Sequence, residues 1–345
     1  MAERSDRPWD DPHSQLEPDY DFSSRHTIAA RLVEALVPAP GRVLDIGGAA
    51  GLAADLLTHY DVTVADLISE GVDVIASGTN LPFRDRSFDA AISLDVLEHV
   101  DSQQKPALIS EAMRIADAVV LAGPYDDEGV RRAEMEQRQY FEAMYGYEHP
   151  WLAEHFVCGL PVLDTVVGQL KAEGFQTAVF GSNPLGLWSE LRLGSHIAQL
   201  FDIDQETWPL RRHLVDSFLD SADATPPSYR HFVVGTRRRE VAAVVESVRP
   251  GADPTVAATT LDKARGDTMR LLGVAGAGIP ELRAHARNLQ AGMDDAHKEL
   301  ALRLEIIEGL VEERAGLQQD LKDLREAVSQ DRLTHRLVER RLRRL

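Results

Sequence analysis

A short apolar run that ends in a glycine turn constrains this chain more than any other stretch. Val43, Leu44 and Ile46 are typical of a short strand covered on both faces. Asp45 places a carboxylate near the carboxyl end of that strand, where open α/β sheets bind ligands. Three glycines follow, which permit positive φ and let a ligand approach bare main chain: Gly47, Gly48 and Gly51. The stretch predicts a nucleotide-like ligand in an α/β domain.

Composition and charge narrow the class of protein. The 345 residues, 44% hydrophobic, suffice for one large domain with additional elements. A net charge of -19 argues against nucleic-acid binding driven by phosphate neutralisation. The single cysteine, Cys158, excludes a disulfide framework and a cysteine-based zinc site within one chain. No apolar run approaches the ~18–20 residues that span a bilayer, and the N-terminus lacks an apolar signal core. We expect a cytoplasmic protein without a nucleic-acid partner.

Strand-like and helix-like patterns alternate between about residues 22 and 240. This alternation favours a Rossmann-like, doubly wound α/β domain with a seven-stranded, mostly parallel sheet. Two helical insertions are predicted, at about 126–170 and 184–219. The predicted strands are 42–46, 62–66, 72–76, 88–94, 118–122, 175–180 and 231–236.

The two ends of the chain differ in composition from the domain. Residues 1–21 are acidic and poor in apolar side chains, which predicts a flexible arm, or else a lid anchored by Trp9, Tyr20 and Phe22. A helix is expected to start at Ser23 or Ser24. Residues 241–280 are rich in Gly, Pro and Ala and are predicted to be a linker with some helix.

Heptad spacing dominates residues 281–345. Twelve of sixteen core positions are apolar, which favours a coiled coil and a homo-oligomer over an antiparallel hairpin packed on the domain. The two series begin at Leu282 and Ala286, and the second includes Ile307. The tip of this segment is basic, which is typical of a solvated helix end or of contact with an anionic membrane or an acidic partner. Its arginines are Arg332, Arg336, Arg340, Arg341, Arg343 and Arg344.

The spacing of the glycines distinguishes between candidate ligands. A phosphate-binding loop needs a lysine and a hydroxyl residue after its last glycine, where this chain has Leu52 and Ala53. The dinucleotide fingerprint needs glycine at the third and sixth positions, which are Ala49 and Leu52 counted from Gly47. Both alternatives are excluded.

Four motifs occur in a characteristic order over about residues 42–123. They are Val43–Gly51, Asp66, Leu81-Pro82-Phe83-Arg84-Asp85-Arg86-Ser87-Phe88-Asp89, and Asp95-Val96-Leu97-Glu98-His99-Val100. With them the chain resembles the class I S-adenosylmethionine-dependent methyltransferases, in particular the methyltransferase type 11 group. The resemblance implies S-adenosylmethionine as the cofactor.

The resemblance also implies roles for individual residues. Asp66, followed by Leu67, suits the two ribose hydroxyls, since one carboxylate can accept from both. Asp45 and the main chain of Gly47, Gly48 and Gly51 suit the methionine end. The family's adenine-binding acid is replaced by Ser77, so Ser77, Gly78, Thr79 and Asn80 are the expected adenine contacts. Asp95 is expected beside the cofactor.

Candidate catalytic residues lie in two separate segments. His99 follows the fourth predicted strand, and Glu154 and His155 follow Trp151 in the first insertion. An aromatic ring beside acidic and imidazole groups suits a sugar hydroxyl, with His155 or His99 as the base. Structural roles for both histidines are the alternative. A metal site formed by His149, His155 and a carboxylate lacks further ligands, so none is predicted.

A weaker resemblance concerns His149–His155 and Gly159-Leu160-Pro161, which are similar to a stretch in bacterial methyltransferases associated with polysaccharide biosynthesis. It favours O-methylation of a sugar hydroxyl on a glycan or glycosylated metabolite. Two alternatives stay open: methylation of a small phenolic or quinone-like metabolite, and a non-catalytic coiled-coil scaffold whose domain senses the cofactor.

The heptad pattern predicts that the full-length chain is a dimer or trimer, because its apolar series needs burial between helices. Light scattering measures the assembly mass. Truncation near Gly278 should give a monomer, whereas a monomeric full-length chain would contradict the coiled coil.

Overall fold

The computed structural model describes residues 20–49, 52–68, 71–201, 215–238 and 240–275, together with 305, 307, 309, 311 and 314. Most of the predicted arm, Gly51 of the glycine turn and most of the predicted coiled coil lie outside the described residues.

A seven-stranded sheet with the order β3-β2-β1-β4-β5-β7-β6 forms the centre of the domain. The first five strands run parallel, and β7 runs antiparallel to both β5 and β6. The prediction of a seven-stranded, mostly parallel sheet with Rossmann-like character is confirmed. The strands are β1 (Arg42–Ile46), β2 (Asp61–Asp66), β3 (Val74–Ile75), β4 (Phe88–Leu94), β5 (Ala116–Pro124), β6 (Gln176–Pro184) and β7 (Ser228–Thr236).

Helices cover both faces of this sheet. They are α1 (Tyr20–Leu36), α2 (Leu52–Leu56), α3 (Lys105–Ile115), α4 (Glu128–Tyr145), α5 (Pro150–Cys158), α6 (Leu163–Ala172), α7 (Leu185–Leu200), α8 (Val215–Ala222), α9 (Val241–Val248) and α10 (Pro254–Ala275). Val43 packs in one apolar cluster with Leu32 of α1, and Leu44 packs in a second cluster with Leu108 of α3. Strand β1 is thus buried on both faces, which explains its continuous apolar sequence.

The first helix of the domain begins at Tyr20, earlier than the sequence predicted. Tyr20 and Asp21, which we assigned to a flexible arm, are buried. The Tyr20 hydroxyl donates a hydrogen bond to Asp223 (2.5 Å), and the Asp21 carboxylate accepts one from Asn183 (2.6 Å). These polar contacts attach the start of α1 to the domain, which an apolar pattern alone does not reveal.

The segment 241–280, predicted as a linker with some helix, carries two packed helices, α9 and α10, within its described residues. Val241 and Val245 of α9 join the apolar cluster beneath α1. Leu272 of α10 is buried with Met144 of α4, and Ile307 of the predicted heptad series joins the same cluster. Ile307 therefore contacts the domain, as expected if the segment is an antiparallel hairpin packed on the domain.

Among the helices that the structure describes, none combines the length and the apolar character of a membrane span.

A buried arginine connects α1 to the sheet. Arg230 of β7 is fully buried and donates to Asp21 (2.8 Å) and to both carboxylate oxygens of Asp95 (2.8 and 2.5 Å). Removing one partner of a buried ion pair leaves uncompensated charge, which costs far more than losing an exposed pair.

We expect Arg230→Ala to lower the free energy of unfolding by about 3–5 kcal/mol, because it leaves two buried carboxylates without this cationic partner. Arg31, which pairs with the exposed Asp220, is the control: Arg31→Ala should cost about 0–1 kcal/mol. Urea unfolding of both variants measures the difference. Equal losses in the two variants would contradict a buried, tightly paired Arg230.

Candidate active site

Three aspartates meet at the carboxyl edge of neighbouring strands. Asp45 lies near the end of β1, Asp66 ends β2, and Asp95 follows β4 directly. Strand β1 pairs with both β2 and β4 in parallel, so the sheet brings the ends of these three strands to one edge. This is the edge at which open α/β sheets bind ligands.

Asp45 is a buried carboxyl group held against the glycine turn. It is 2% exposed, and its Oδ2 has no hydrogen-bond partner among the described residues. Burial, and to a lesser degree the charge of Asp66, raises the pKa of Asp45 to about 7. A side chain at Gly48 would overlap this carboxylate, and one at Gly47, whose φ is +80°, would meet Val96 at 2.5 Å. The local structure therefore requires glycine at both positions.

Asp66 connects the end of β2 to the glycine turn. Its Oδ1 accepts hydrogen bonds from the amides of Leu67 (2.6 Å) and Ile68 (3.2 Å), and its Oδ2 accepts one from the amide of Ala49 (3.2 Å). The Leu67 side chain is 72% exposed and Ile68 is 48% exposed. An oriented carboxylate thus lies beside two exposed apolar side chains.

Residues 77–80 form a turn next to the end of β1. The hydroxyls of Ser77 and Thr79 lie 2.8 Å apart, and the Asn80 amide donates to the Ser77 carbonyl (2.9 Å). A Cβ on Gly78 would lie 2.9 Å from side-chain carbons of Ile46 and Leu108, so the turn packs closely on the sheet edge.

The Asp95 carboxylate forms ion pairs with two arginines. It has a left-handed backbone (φ +54°) and pairs with Arg25 (2.6 Å) as well as Arg230. Burial alone would raise the pKa of Asp95, but the two guanidinium groups hold it well below its usual value. The ion pair connects α1 to the end of β4, and a contact between Asp95 and the cofactor stays a prediction.

The three predicted catalytic residues form one cluster, although more than fifty residues separate His99 from the other two. A short 3₁₀ helix, Leu97–His99, presents His99 after β4, and α5 presents Glu154 and His155. His99 Nδ1 lies 2.8 Å from Glu154 Oε2, and the two Nε2 atoms of His99 and His155 are 3.3 Å apart. Burial and the neighbouring His155 lower the pKa of His99, while Glu154 opposes this shift.

Two further acidic groups, Glu134 and Glu98, lie around these histidines. Glu134 of α4 lies 2.9 Å from His155 Nδ1 and accepts a hydrogen bond from the Tyr229 hydroxyl (3.0 Å). Glu98 is 1% exposed, and burial together with the charge of Asp95 raises its pKa well above the usual value. Glu98 belongs to the motif Asp95–Val100 that the sequence presents after β4, whereas nothing in the local sequence predicts a role for Glu134 or Tyr229.

Ligand atoms of Glu98, His99 and His155 all lie within 4.8 Å of one another, so these side chains are able to hold a metal ion. His149, considered beside His155 from the sequence, has a different role. Its Nδ1 accepts a hydrogen bond from the Leu152 amide (3.3 Å) at the start of α5.

Comparison with known proteins identifies the domain. Residues 44–118 match the family model described as a methyltransferase domain. No curated protein sequence matches this chain. Together with the sheet and its acidic edge, the family match makes the protein an S-adenosylmethionine-dependent methyltransferase, and S-adenosylmethionine is its cofactor.

Solved methyltransferase structures share a distant likeness. A SAM-dependent methyltransferase from Thermotoga maritima is 16% identical, with 64% of this chain and 93% of that chain covered and a TM-score of 0.39. Magnesium protoporphyrin IX methyltransferase from Synechocystis PCC 6803, solved with bound SAH, is 15% identical, with 63% and 84% covered and a TM-score of 0.37. At these values neither structure indicates the acceptor.

The raised pKa of Asp45 predicts pH-dependent cofactor binding. Below pH 7 the free protein carries a proton on Asp45, whereas the cofactor's ammonium group favours the ionised carboxylate. Binding should therefore release a proton, and affinity should rise with pH by up to about tenfold per unit below pH 7. Calorimetry in two buffers of different ionisation enthalpy measures the proton, and Asp45→Asn should abolish its release. Identical heats in both buffers for the wild type would contradict this role.

Proposed function

We propose that this S-adenosylmethionine-dependent methyltransferase methylates a sugar hydroxyl of a glycan or a glycosylated metabolite. The observation that carries the proposal is the paired imidazoles of His99 and His155, held by carboxylates beside the acidic sheet edge. A hydroxyl acceptor needs its proton removed, whereas an acceptor that is already a strong nucleophile needs no such group.

The sheet edge suits each part of the cofactor. Asp66 would accept from the ribose hydroxyls, since its hydrogen bonds to Leu67 and Ala49 orient the carboxylate and leave acceptor positions open. Asp45 and the glycine turn would hold the methionine end. The turn at residues 77–80, close to Ile46, would contact adenine through hydroxyl and amide groups in place of the family's acidic residue.

The reaction is an in-line displacement whose main requirement is orientation. In the metal-free protein, the acceptor hydroxyl gives its proton to an imidazole Nε2. The oxygen forms a bond to the methyl carbon, and the sulfur–carbon bond breaks with its electron pair staying on sulfur. The products are a methyl ether, S-adenosylhomocysteine and a proton, which the imidazole then passes to water.

Helix α5 favours a sugar over other hydroxyl acceptors. Trp151 is 54% exposed on the helix that carries Glu154 and His155, so an aromatic ring and polar groups share one short element. The second candidate, a small phenolic or quinone-like acceptor, draws on the apolar side chains of Phe156 and Val157, which are 68% and 85% exposed on the same helix.

We expect His155→Ala to bind the cofactor as the wild type does and to lose about 10²–10⁴-fold in turnover, because a positioned base contributes that factor. The assay uses labelled S-adenosylmethionine with separate fractions of host glycans, lipids and metabolites. His59, exposed and remote in sequence, provides the control variant His59→Ala. Unchanged turnover of His155→Ala would exclude His155 from the mechanism, and label only on metabolites that contain no sugar would favour the second candidate.

A further inference from the structure

The two imidazoles of the active-site cluster have their Nε2 atoms close together, although both atoms carry lone pairs. Each ring has its Nδ1 beside a carboxylate oxygen, Glu154 for His99 and Glu134 for His155. A carboxylate oxygen accepts hydrogen bonds, so the hydrogen of each neutral ring lies on Nδ1 and the lone pair on Nε2. The two Nε2 atoms are 3.3 Å apart. Two lone pairs at this distance repel each other unless a proton or a cation lies between them.

The distance between the Nε2 atoms of His99 and His155 matches the distance between two nitrogens bound to one metal ion. In tetrahedral zinc sites the zinc–nitrogen distance is about 2.0–2.1 Å, which puts two ligating nitrogens about 3.3–3.4 Å apart. The observed 3.3 Å between His99 and His155 therefore fits two ligands of one ion.

Glu98 supplies an independent observation. Its side chain is 1% exposed, and Oε2 has no hydrogen-bond partner in the part of the chain that the structure describes. A Cβ on Gly123 would lie 2.9 Å from that oxygen, so glycine there leaves room for the carboxylate. Burying a carboxylate oxygen without a partner is costly, and a cation at the two imidazoles would supply the partner.

We propose that Glu98, His99 and His155 bind one divalent transition-metal ion, with Zn²⁺ as the best match. Two imidazoles and one carboxylate are a ligand set of catalytic zinc sites, which keep a further position for water or substrate. Glu154 and Glu134 hold the outer nitrogens, as carboxylates commonly do around metal-bound histidines. The Tyr229 hydroxyl in turn donates to Glu134 (3.0 Å), which orients the second carboxylate.

The ion gives the cluster a second way to activate an acceptor, and this part rests on the proposed function. A sugar hydroxyl in the open position would have its pKa lowered by the cation, and its proton would leave to solvent water. The oxygen then attacks the methyl carbon as before. In the loaded protein His99 and His155 act as ligands, so neither needs to serve as the base.

Zinc binding to the full-length protein tests the site directly. The protein is stripped with a chelator and dialysed against Zn²⁺, and bound zinc is measured by mass spectrometry together with the visible spectrum after Co²⁺ loading. We expect one zinc per chain in the wild type, and loss of that zinc in His99→Gln and Glu98→Gln. His59→Gln is the matched control, since His59 is exposed and apart from the cluster, and it should keep the ion.

Calorimetry with S-adenosylmethionine checks that each variant is folded, and the half-exposed His99 is the safer position if Glu98→Gln fails this check. A wild type that binds no zinc, or a His99→Gln variant that binds it equally, would overturn the proposal and leave a shared proton between the rings. Zinc bound at the predicted ligands without any methylated sugar would support the site and contradict the proposed acceptor.

Discussion

The buried guanidinium of Arg230 is the interaction on which the active site depends. Arg230 is a residue of β7, and its guanidinium lies between Asp21 at the start of α1 and Asp95 at the end of β4. Three elements distant in sequence are thereby joined at the carboxyl edge. Asp95 in turn precedes the 3₁₀ helix Leu97–His99, so the ion pair helps to set where Glu98 and His99 lie. Such a buried pair adds little net stability, but it is very costly to break because one partner is then left as an uncompensated buried charge.

Local patterns were sufficient for the sheet and for the positions of Asp45 and Asp66 near the ends of their strands. Strand β4 has the predicted bounds, and β1 is buried on both faces as its continuous apolar sequence indicates. Asp45 and Asp66 lie at strand ends because parallel strands of one sheet bring their carboxyl ends to one edge. These features follow from periodicity, glycine spacing and strand order, which are all properties of short segments.

The remaining features depend on contacts between distant residues. Glu134 forms hydrogen bonds with His155, 21 residues away in sequence, and with Tyr229, 95 residues away. Neither contact is predictable from the local sequence. The pairing of Asp95 with Arg25 and Arg230 spans 70 and 135 positions and has no signal in the local sequence. Helix α10 lies in the segment that was predicted as a linker with some helix because Gly, Pro and Ala are frequent there, and its packing against α7 and α4 depends on distant residues.

Asp95, Glu98 and His99 follow β4 in one short segment, which connects the carboxyl edge of the sheet to the imidazole cluster. The most direct measurement is to supply methyl-labelled S-adenosylmethionine with host glycans and to locate the label by nuclear magnetic resonance. The account predicts a methyl group bonded to a sugar oxygen. Label on nitrogen or carbon, or on an oxygen that belongs to no sugar, would contradict it.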